Sequence, residues 1–242
     1  MESNYKNRAL CIIIPVFNEE KNIGMCITKI MEVIAQIKIP VFLLMVNDGS
    51  ADNTKLLLNK FEKQYVNLII IDHNSNKGYG AALQTGIKET NNRKFEFGLF
   101  MDCDLTNDPK YIMDFVKYVE QDYDCIKASR YIAGGKMIGV PVLRQIISKI
   151  GNIIAAMLFS IGVKDCTNGF RMVRLNLLQG IAFHEKGFAI ILEELFHLKK
   201  QGAKFIEIPV TLTSRTDSAS KFTYDLITFW NYLKYALKAF LI

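Results

Sequence analysis

The first half of the chain alternates continuous apolar runs with stretches in which apolar residues recur at helical spacing. The runs, rich in β-branched side chains, occupy residues 9–17, 41–46, 67–72, 95–101 and 123–129. Strands that are apolar on both faces, each followed by a helix, are typical of a parallel sheet covered by helices on both sides. The sequence therefore predicts an α/β fold, a three-layer sandwich with a mostly parallel central sheet.

The second half of the chain is less regular, but it contains no linker that would separate two domains. Helical patterns cover residues 140–163, 187–202 and 222–242, and a further strand is predicted within residues 204–212. A chain of 242 residues is long enough to bury one large core. We therefore expect a single structural domain that ends in an amphipathic helix.

Net charge indicates which partners the protein binds, and cysteine content indicates the cellular compartment. The chain carries 30 Lys and Arg against 24 Asp and Glu, a net charge of +6, which favours phosphorylated small molecules and acidic lipid headgroups. Nucleic acid is not expected as a partner, because no recognised binding module is present. The five cysteines are scattered without a CxxC pair, which indicates buried free thiols in a reducing compartment. The N-terminus lacks an apolar signal core, and no uninterrupted apolar run reaches about 18 residues, so we expect a cytoplasmic protein.

Polar segments follow the first four apolar runs. They begin after Phe17, Val46, Asp72 and Met101. In a parallel sheet these segments meet at one edge, and ligands bind at the carboxyl ends of the strands. The second segment contains Ser50, a candidate N-cap for the helix that follows it. We therefore expect a binding site at this edge.

Asp102 and Asp104 bracket one residue at the end of the fourth run. In an extended backbone, residues i and i+2 point the same way, so both carboxylates would converge while Cys103 faces the packed side. Two hard oxygen donors at one point suit Mg²⁺ or Mn²⁺, which would take water and phosphate oxygens as further ligands. A loop with two solvated charges is the simpler interpretation of an isolated D-x-D, and at this point it stays open.

Gly78 and Gly80 precede the helix after the third run, and the N-terminal amides of a helix are suited to a phosphate. A dinucleotide fingerprint does not fit, because Leu83 occupies its third small position and the segment follows the third strand rather than the first. A dehydrogenase is therefore disfavoured.

Eight segments, in this order along the chain, resemble the inverting glycosyltransferases of family 2, which have the Rossmann-like GT-A fold. They read PVFNEE, VNDGSADNT, NKGYGAAL, MDCDLTNDP, ASRY, DCTNGFRM, KGFAIILEE and IEIPVTLTSRTDSASK. The set looks like the polyprenyl-phosphate sugar synthases, the dolichyl-phosphate mannose and glucose synthase group. The resemblance implies a metal-dependent hexosyltransferase that moves one hexose from a nucleotide diphosphate sugar (GDP-mannose or UDP-glucose) to a polyprenyl monophosphate.

The resemblance also implies roles for individual residues at the sheet edge. The nucleotide sugar would be bound by Pro15, Phe17, Glu19, Asp48, Lys77, Gly78 and Asp102. The carboxylates of Asp102 and Asp104 would hold Mg²⁺ or Mn²⁺ on the diphosphate, where a cation neutralises the departing group. Thr106 stands where some relatives carry a third metal-proximal side chain, and a hydroxyl is a poorer ligand.

Cationic residues in the second half fit a phosphate acceptor, since arginine binds phosphate with a forked pair of donors. The acceptor phosphate and the donor diphosphate would be bound by Arg130, Arg144, Arg215 and Lys221, unless these are solvated surface charges. Arg171 is either structural or part of the site. Residues 214–220 are polar and predicted to form a mobile lid, in which Ser218 replaces the glycine of the family.

Glu193 falls where the family places a carboxylate in the acceptor region, and it joins Asp102, Asp104 and Arg130 as a candidate catalytic residue. A phosphate acceptor is already ionised near neutral pH and hardly needs a base, whereas a sugar hydroxyl would need one. An ion pair between Glu193 and a lysine of its own helix is the structural alternative.

Two helices suggest attachment to a membrane surface. The terminal helix mixes aromatic and aliphatic residues with lysines, and the helix around 142–161 is mostly apolar, although core packing is the alternative for both. We expect a catalytic domain over residues 1–213, then a lid loop and amphipathic helix over 214–242, peripherally bound to the membrane. Two other functions stay open: transfer to a glycan or protein hydroxyl, and a non-catalytic nucleotide-sugar-binding subunit. A nucleotidyltransferase is more remote.

Overall fold

The computed structural model describes residues 9–214 and 226–242. The strands are β1 (Leu10–Val16), β2 (Val41–Asn47), β3 (Leu68–Asp72), β4 (Phe97–Phe100), β5 (Cys125–Ser129), β6 (Lys136–Ile138), β7 (Arg171–Arg174), β8 (Phe205–Pro209) and β9 (Thr211–Thr213). The helices are α1 (Ile23–Ile34), α2 (Thr54–Glu62), α3 (Tyr79–Asn92), α4 (Ile112–Val116), α5 (Val142–Phe159), α6 (Ile190–Lys200) and α7 (Leu226–Phe240). Short 3₁₀ turns cover Pro109–Tyr111 and Leu175–Leu178.

The central sheet has the strand order β3-β2-β1-β4-β7-β5-β8, and β6 pairs with β9 in a separate two-stranded sheet. Neighbouring strands of the central sheet pair in parallel except at β7, which is antiparallel to both β4 and β5. The predicted α/β fold with a mostly parallel sheet is therefore confirmed, and the five strands of the first half lie where the apolar runs predicted them.

The apolar strands are buried on both faces, which explains why their sequences do not alternate with polar residues. In β1, Ile12 and Ile14 pack into a cluster with α1, α2 and α4, whereas Cys11 and Ile13 pack into a second cluster with α3, α5, α6 and α7. All five cysteines are buried free thiols, as predicted.

Two helix starts differ from the prediction. Ser50 is not the N-cap of α2, which begins at Thr54; its hydroxyl instead accepts a hydrogen bond from the Asn18 N–H at 3.0 Å. The helix expected after the fourth apolar run begins as a 3₁₀ turn at Pro109 that Asp108 caps, and its α-helical part is short. Only at Ser50 does the neighbouring loop take the side-chain hydrogen bond, since Asp108 accepts one from Lys110 in its own turn.

Helix α5 lies on the surface, and only three of its residues are buried: Asn152, Ala155 and Phe159. Leu143 and Met157 on its other side are 69% and 65% exposed. Among the described residues it is the one helix long and apolar enough to cross a membrane by length and composition, and 17% of it is buried. Helix α7 packs against both α5 and α6.

Candidate active site

The polar segments that follow β1, β2 and β3 meet at the carboxyl edge of the sheet, as the strand pattern predicted. Asn18 Oδ1 accepts a hydrogen bond from the Ala51 N–H at 2.8 Å, which joins the first segment to the second. Asp48 Oδ2 accepts one from the Gly78 N–H at 2.8 Å, which joins the second to the third. These bonds make one continuous edge from separate parts of the chain.

Asp48 shapes the glycine turn at the start of α3. The residue is 2% exposed, and its Oδ1 lies 2.9 Å from the Lys77 N–H that donates to it and 2.6 Å from His73 Nδ1. Gly78 has φ +99°, and a β-carbon there would collide with the carbonyl oxygen of Lys186. The predicted donor-site residues Asp48, Lys77 and Gly78 are therefore brought together, and His73, which the sequence left without a role, supports them.

Pro15, Phe17 and Glu19 lie at the carboxyl end of β1 and in the segment after it. Glu19 is buried, its N–H donates to the Thr54 hydroxyl at 2.9 Å, and its Oε2 accepts a hydrogen bond from Asn22 Nδ2 at 2.7 Å. All three residues are thus at the predicted edge, and their contact with a nucleotide stays a prediction.

Asp102 and Asp104 follow β4 and are half-buried, while Cys103 between them packs into the core. The backbone here is a turn rather than the extended strand that was expected, and Leu105 has φ +57°. Asp104 Oδ1 accepts hydrogen bonds from the Thr106 N–H at 3.0 Å and from its hydroxyl at 2.8 Å. Thr106 therefore holds Asp104 in place.

A tyrosine and a glycine lie beside Asp102. The Tyr79 hydroxyl donates to the Asp102 carboxylate, and burial together with the negative charge of Asp102 raises the pKa of Tyr79 well above its ordinary value. A β-carbon at Gly169 would lie 3.1 Å from the Tyr79 hydroxyl and 3.7 Å from Asp102 Oδ2. Because Gly169 has no side chain, space is left next to the carboxylate.

Asp102 and Asp104 offer the type of ligand that a divalent cation takes, and their binding of Mg²⁺ or Mn²⁺ stays a prediction. Mg²⁺ in such sites binds one or two carboxylates together with phosphate oxygens and water. Within residues 9–214 and 226–242, no group of three or more His, Cys, Asp or Glu side chains is arranged to hold a metal. To hold a cation, Asp102 and Asp104 would therefore need further ligands, such as the oxygens of a bound diphosphate.

Arg130 follows β5 and is bound by a carboxylate. Its Nε and Nη2 each donate to Asp165 at 2.7 Å, and Nη2 also donates to the Thr167 hydroxyl at 3.0 Å. Burial alone would raise the pKa of Asp165, but the charge and hydrogen bonds of Arg130 outweigh it and lower that pKa. The forked edge of Arg130 is therefore occupied, and a phosphate would have to meet this side chain at another edge.

Arg171 is a structural residue, one of the two interpretations that the sequence allowed. It is completely buried, and its Nε and Nη2 donate to Glu194 at 2.5 and 2.7 Å. Its Nη1 donates to the Gly169 carbonyl at 2.7 Å, and its guanidinium lies 4.3 Å from the centre of the Phe100 ring. Arg171 thus holds the loop that carries Gly169 against the end of β4.

Among the other predicted phosphate-binding residues, Arg144 lies on the exposed first turn of α5. Arg215, Lys221 and the lid residues 215–220 lie outside the described residues. Their predicted roles, like the boundary between the catalytic domain and the lid at residue 214, stay predictions.

Glu193 is 1% exposed and holds the loop before α6. Its carboxylate accepts hydrogen bonds from the His184 N–H at 2.9 and 3.1 Å and from the Glu185 N–H at 2.9 Å. A carboxylate engaged in this way has a structural function, which differs from the lysine pairing considered above. Its role as a base stays a prediction.

Sequence reasoning assigned no role to several residues that the structure places at the site. They are Tyr79, Asp165, Thr167 and Gly169, and all lie within the segments NKGYGAAL and DCTNGFRM. The signal was the unusual polarity of DCTNG between two apolar stretches. Its meaning depends on partners such as Arg130, 35 residues away from Asp165 in sequence.

Known proteins resemble this chain in both sequence and fold. The model of glycosyl transferase family 2 matches residues 11–181. The chain is 28% identical over 214 residues to a polyprenol monophosphomannose synthase of Mycolicibacterium smegmatis, covering 87% of this chain and 79% of that protein. It is also 28% identical over 214 residues to a dolichol-phosphate mannosyltransferase of Pyrococcus furiosus, covering 87% of this chain and 58% of that protein.

The fold is similar to crystal structures of glucosyl-3-phosphoglycerate synthase from Mycobacterium tuberculosis. The complex with Mn²⁺, UDP and glucosyl-3-phosphoglycerate gives a TM-score of 0.69 at 16% identity, covering 97% of this chain and 81% of that one. The complex with Mn²⁺, UDP and phosphoglyceric acid gives 0.70 at 16% identity, covering 97% and 79%. This likeness concerns the fold and confirms the expected GT-A architecture. Because the family model matches more than half of the sequence, the chain belongs to glycosyl transferase family 2.

Proposed function

We propose that this protein transfers one hexose, with inversion, from a nucleotide diphosphate sugar to a polyprenyl monophosphate. As a member of its family the chain is a hexosyltransferase. The observation that carries the acceptor assignment is the loop 165–169. At one end Asp165 and Thr167 bind Arg130 beside α5, and at the other end Gly169 lies next to Asp102. A phosphate acceptor that enters along α5 would therefore meet the diphosphate of the donor.

The donor would lie along the edge formed by β1, β2 and β3. Asp48, Lys77 and Gly78 form a single cluster there, and the N-terminal amides of α3 follow directly. A helix N-terminus favours a negatively charged group. Asp102 and Asp104 would hold Mg²⁺ or Mn²⁺, which when bound neutralises charge on the departing nucleoside diphosphate.

The reaction requires no general base. An ionised oxygen of the acceptor phosphate attacks the anomeric carbon, the bond from that carbon to the nucleoside diphosphate breaks, and the diphosphate leaves with the electron pair. Catalysis then depends on positioning and on charge stabilisation. Glu193, whose carboxylate is already bound to two backbone N–H groups, is not needed as a base for this acceptor.

The lipid part of the acceptor fits the exposed surface of α5 and α7. Helix α5 contains Arg144 and Lys149 but no acidic residue. In α7, Lys234 is paired with Glu185, and Lys238 is the second lysine of the described side chains. Apolar helices with basic residues bind anionic membrane interfaces. The protein would therefore lie on the cytoplasmic membrane surface.

Two features of α5 favour lying on the membrane over crossing it. Its 18 residues span about 27 Å, slightly less than the hydrocarbon core of a bilayer. Asn152 and Ser148 on its inner side are hydrogen-bonded to the loops that carry Thr167 and Tyr131. A helix tied to the domain in this way is best placed at the interface.

The test is transfer of labelled sugar to a polyprenyl phosphate in detergent. GDP-mannose is the first donor to test because both relatives are named for mannose, and UDP-glucose is the second. We expect label in the lipid with one donor, lost on chelation and restored by Mg²⁺ or Mn²⁺. Asp104→Ala should abolish transfer, whereas Asp108→Asn, a change of an exposed carboxylate bound to Lys110, should not.

Each failure of this experiment has a distinct meaning. Label that enters lipid in the presence of chelator would refute the metal assignment. Donor binding without any labelled lipid would refute the acceptor and favour a hydroxyl acceptor or a non-catalytic binding subunit. A hydroxyl acceptor would in addition make transfer depend on Glu193.

A further inference from the structure

Asn152 is the one polar residue of α5 that is fully buried. Asn152 is 1% exposed, and its buried neighbours on the same face are Ala155 and Phe159. An amide in such a position costs stability unless its donors and acceptor are hydrogen-bonded. The partners of Asn152 therefore show what the residue does.

Asn152 binds Thr167 at two points. Asn152 Nδ2 donates to the Thr167 hydroxyl at 2.9 Å, and Asn152 Oδ1 accepts a hydrogen bond from the Thr167 N–H at 3.1 Å. Nδ2 also donates to the Ser148 carbonyl one turn earlier at 2.8 Å. The reciprocal pair fixes both the backbone of Thr167 and the direction of its hydroxyl.

The Thr167 hydroxyl is in turn an acceptor for Arg130. Arg130 Nη2 donates to it at 3.0 Å, on the same guanidinium whose Nε and Nη2 bind Asp165. Asp165 supplies charge and a forked contact, while Thr167 supplies a second, neutral anchor. Arg130 is thus held by a carboxylate and a hydroxyl of one loop, residues 165–169, and the position of the hydroxyl is set by α5.

We propose that Asn152 is a positioning residue for Arg130, acting through Thr167 to place the guanidinium at the acceptor phosphate. This inference rests on the proposed function, because it requires Arg130 to act on that phosphate. The outer side of α5 is the proposed lipid surface, so Asn152 on its inner side also sets the position of Arg130 relative to the lipid headgroups. A Thr167 hydroxyl without this partner is free to rotate among its staggered rotamers and lose the arginine.

If Asn152 positions Arg130, losing its bonds to Thr167 should weaken binding of the polyprenyl phosphate acceptor and leave binding of the nucleotide sugar unchanged. Asn152→Leu removes both bonds to Thr167, and Thr167→Val keeps the shape of Thr167 while removing its hydroxyl. We expect each variant to raise the KM for polyprenyl phosphate about tenfold, the effect of one hydrogen bond to a charged group. The Kd for the nucleotide sugar should change less than about twofold, within measurement scatter for an unaffected site.

Gly151→Ala is the matched control. It lies next to Asn152 on the same helix, and a β-carbon there would have no neighbour within 4 Å. We expect wild-type kinetics from this variant. A tenfold loss in Gly151→Ala as well would show that any change in α5 has the same effect, and would overturn the inference.

A double-mutant cycle tests whether Asn152 acts through Arg130. In an Arg130→Lys background, which lacks the guanidinium Nη2, Thr167→Val should add less than about twofold to the acceptor KM, because coupled residues are non-additive. Full additivity would overturn the inference, as would a lowered Tm in Asn152→Leu and Thr167→Val with an unchanged acceptor KM. If Asn152→Leu does not fold, Asn152→Ala replaces it, because it removes both bonds to Thr167 without adding bulk.

The two proposals fail in different ways. A wild-type protein that transfers no sugar to polyprenyl phosphate refutes the proposed function itself. Wild-type transfer that is impaired by Arg130→Lys but unaffected by Thr167→Val refutes only the role of Asn152.

Discussion

The buried pair of Arg171 and Glu194 offers the sharpest test of how the sheet is held together. Both side chains have no exposed area, and the guanidinium donates to both carboxylate oxygens at 2.5 and 2.7 Å. Burial alone would lower the pKa of Arg171, but Glu194 raises it overall, so the arginine stays charged. Glu194→Gln keeps the size of the side chain and leaves that charge buried without its counter-charge.

We expect Glu194→Gln to lower the free energy of unfolding by about 3–5 kcal/mol, the cost of removing one partner of a buried ion pair. For a chain of this size the Tm should fall by about 10 °C. Urea denaturation followed by circular dichroism measures the first value, and calorimetry the second. The double variant Arg171→Met/Glu194→Leu should recover most of the loss, because apolar side chains of similar volume leave no buried charge.

Glu96→Gln is the matched control. Glu96 binds Arg174 at 2.6 Å, and Arg174 is on the same strand as Arg171. Arg174 lies over the Phe97 ring as Arg171 lies over the Phe100 ring, but the Glu96–Arg174 pair is about a quarter exposed. We expect this change to cost less than about 1 kcal/mol. Equal losses in both variants, or a double variant as unstable as Glu194→Gln, would refute the argument that burial decides the cost.

Three further predictions concern backbone packing, thiols and acid stability. Gly80→Ala should lower the free energy of unfolding by about 1–3 kcal/mol, because a β-carbon there would collide with the backbone of the loop before α6. Gly151→Ala has open space around it and should stabilise α5. Urea titration of both variants measures the difference in the free energy of unfolding. Burial raises the pKa of Cys125 and of Cys166 to about 12, so neither thiol should react with an aromatic disulfide reagent at pH 8 until urea unfolds the chain, and rapid labelling of the native protein would contradict this. Because the pKa of Asp165 is lowered in the folded state, its carboxylate stabilises the fold above pH 3.8, the ordinary pKa, and this stability is lost as the pH falls through the folded-state pKa. Asp165→Asn should therefore be less stable than wild type at pH 7, and the difference should shrink in acid. A difference in stability that is the same at all pH values would contradict the prediction.

The strand pattern and the order of the motifs were readable in the sequence because they depend on local properties. A run such as LCIIIPV is apolar at every position, which is the pattern of a strand that is buried on both faces. Chain order then placed the segments containing Asp48, Gly78 and Asp102 at one edge of the sheet. The helix caps were less predictable, because the Ser50 hydroxyl could bind either its own helix or the neighbouring loop. In the structure it accepts a hydrogen bond from Asn18 in that loop.

The sequence by itself determined the α/β class, the family and the edge at which the carboxylates lie, because hydrophobic periodicity and motif order survive without knowledge of any tertiary contact. The tertiary structure alone decided what each charged residue binds. Arg130 and Arg171 are both arginines in polar motifs, yet one is bound to Asp165 beside the proposed acceptor site and the other is enclosed with Glu194 in the core. These pairings join residues 35 and 23 positions apart, and the strength of each depends on burial, which only the packed chain determines.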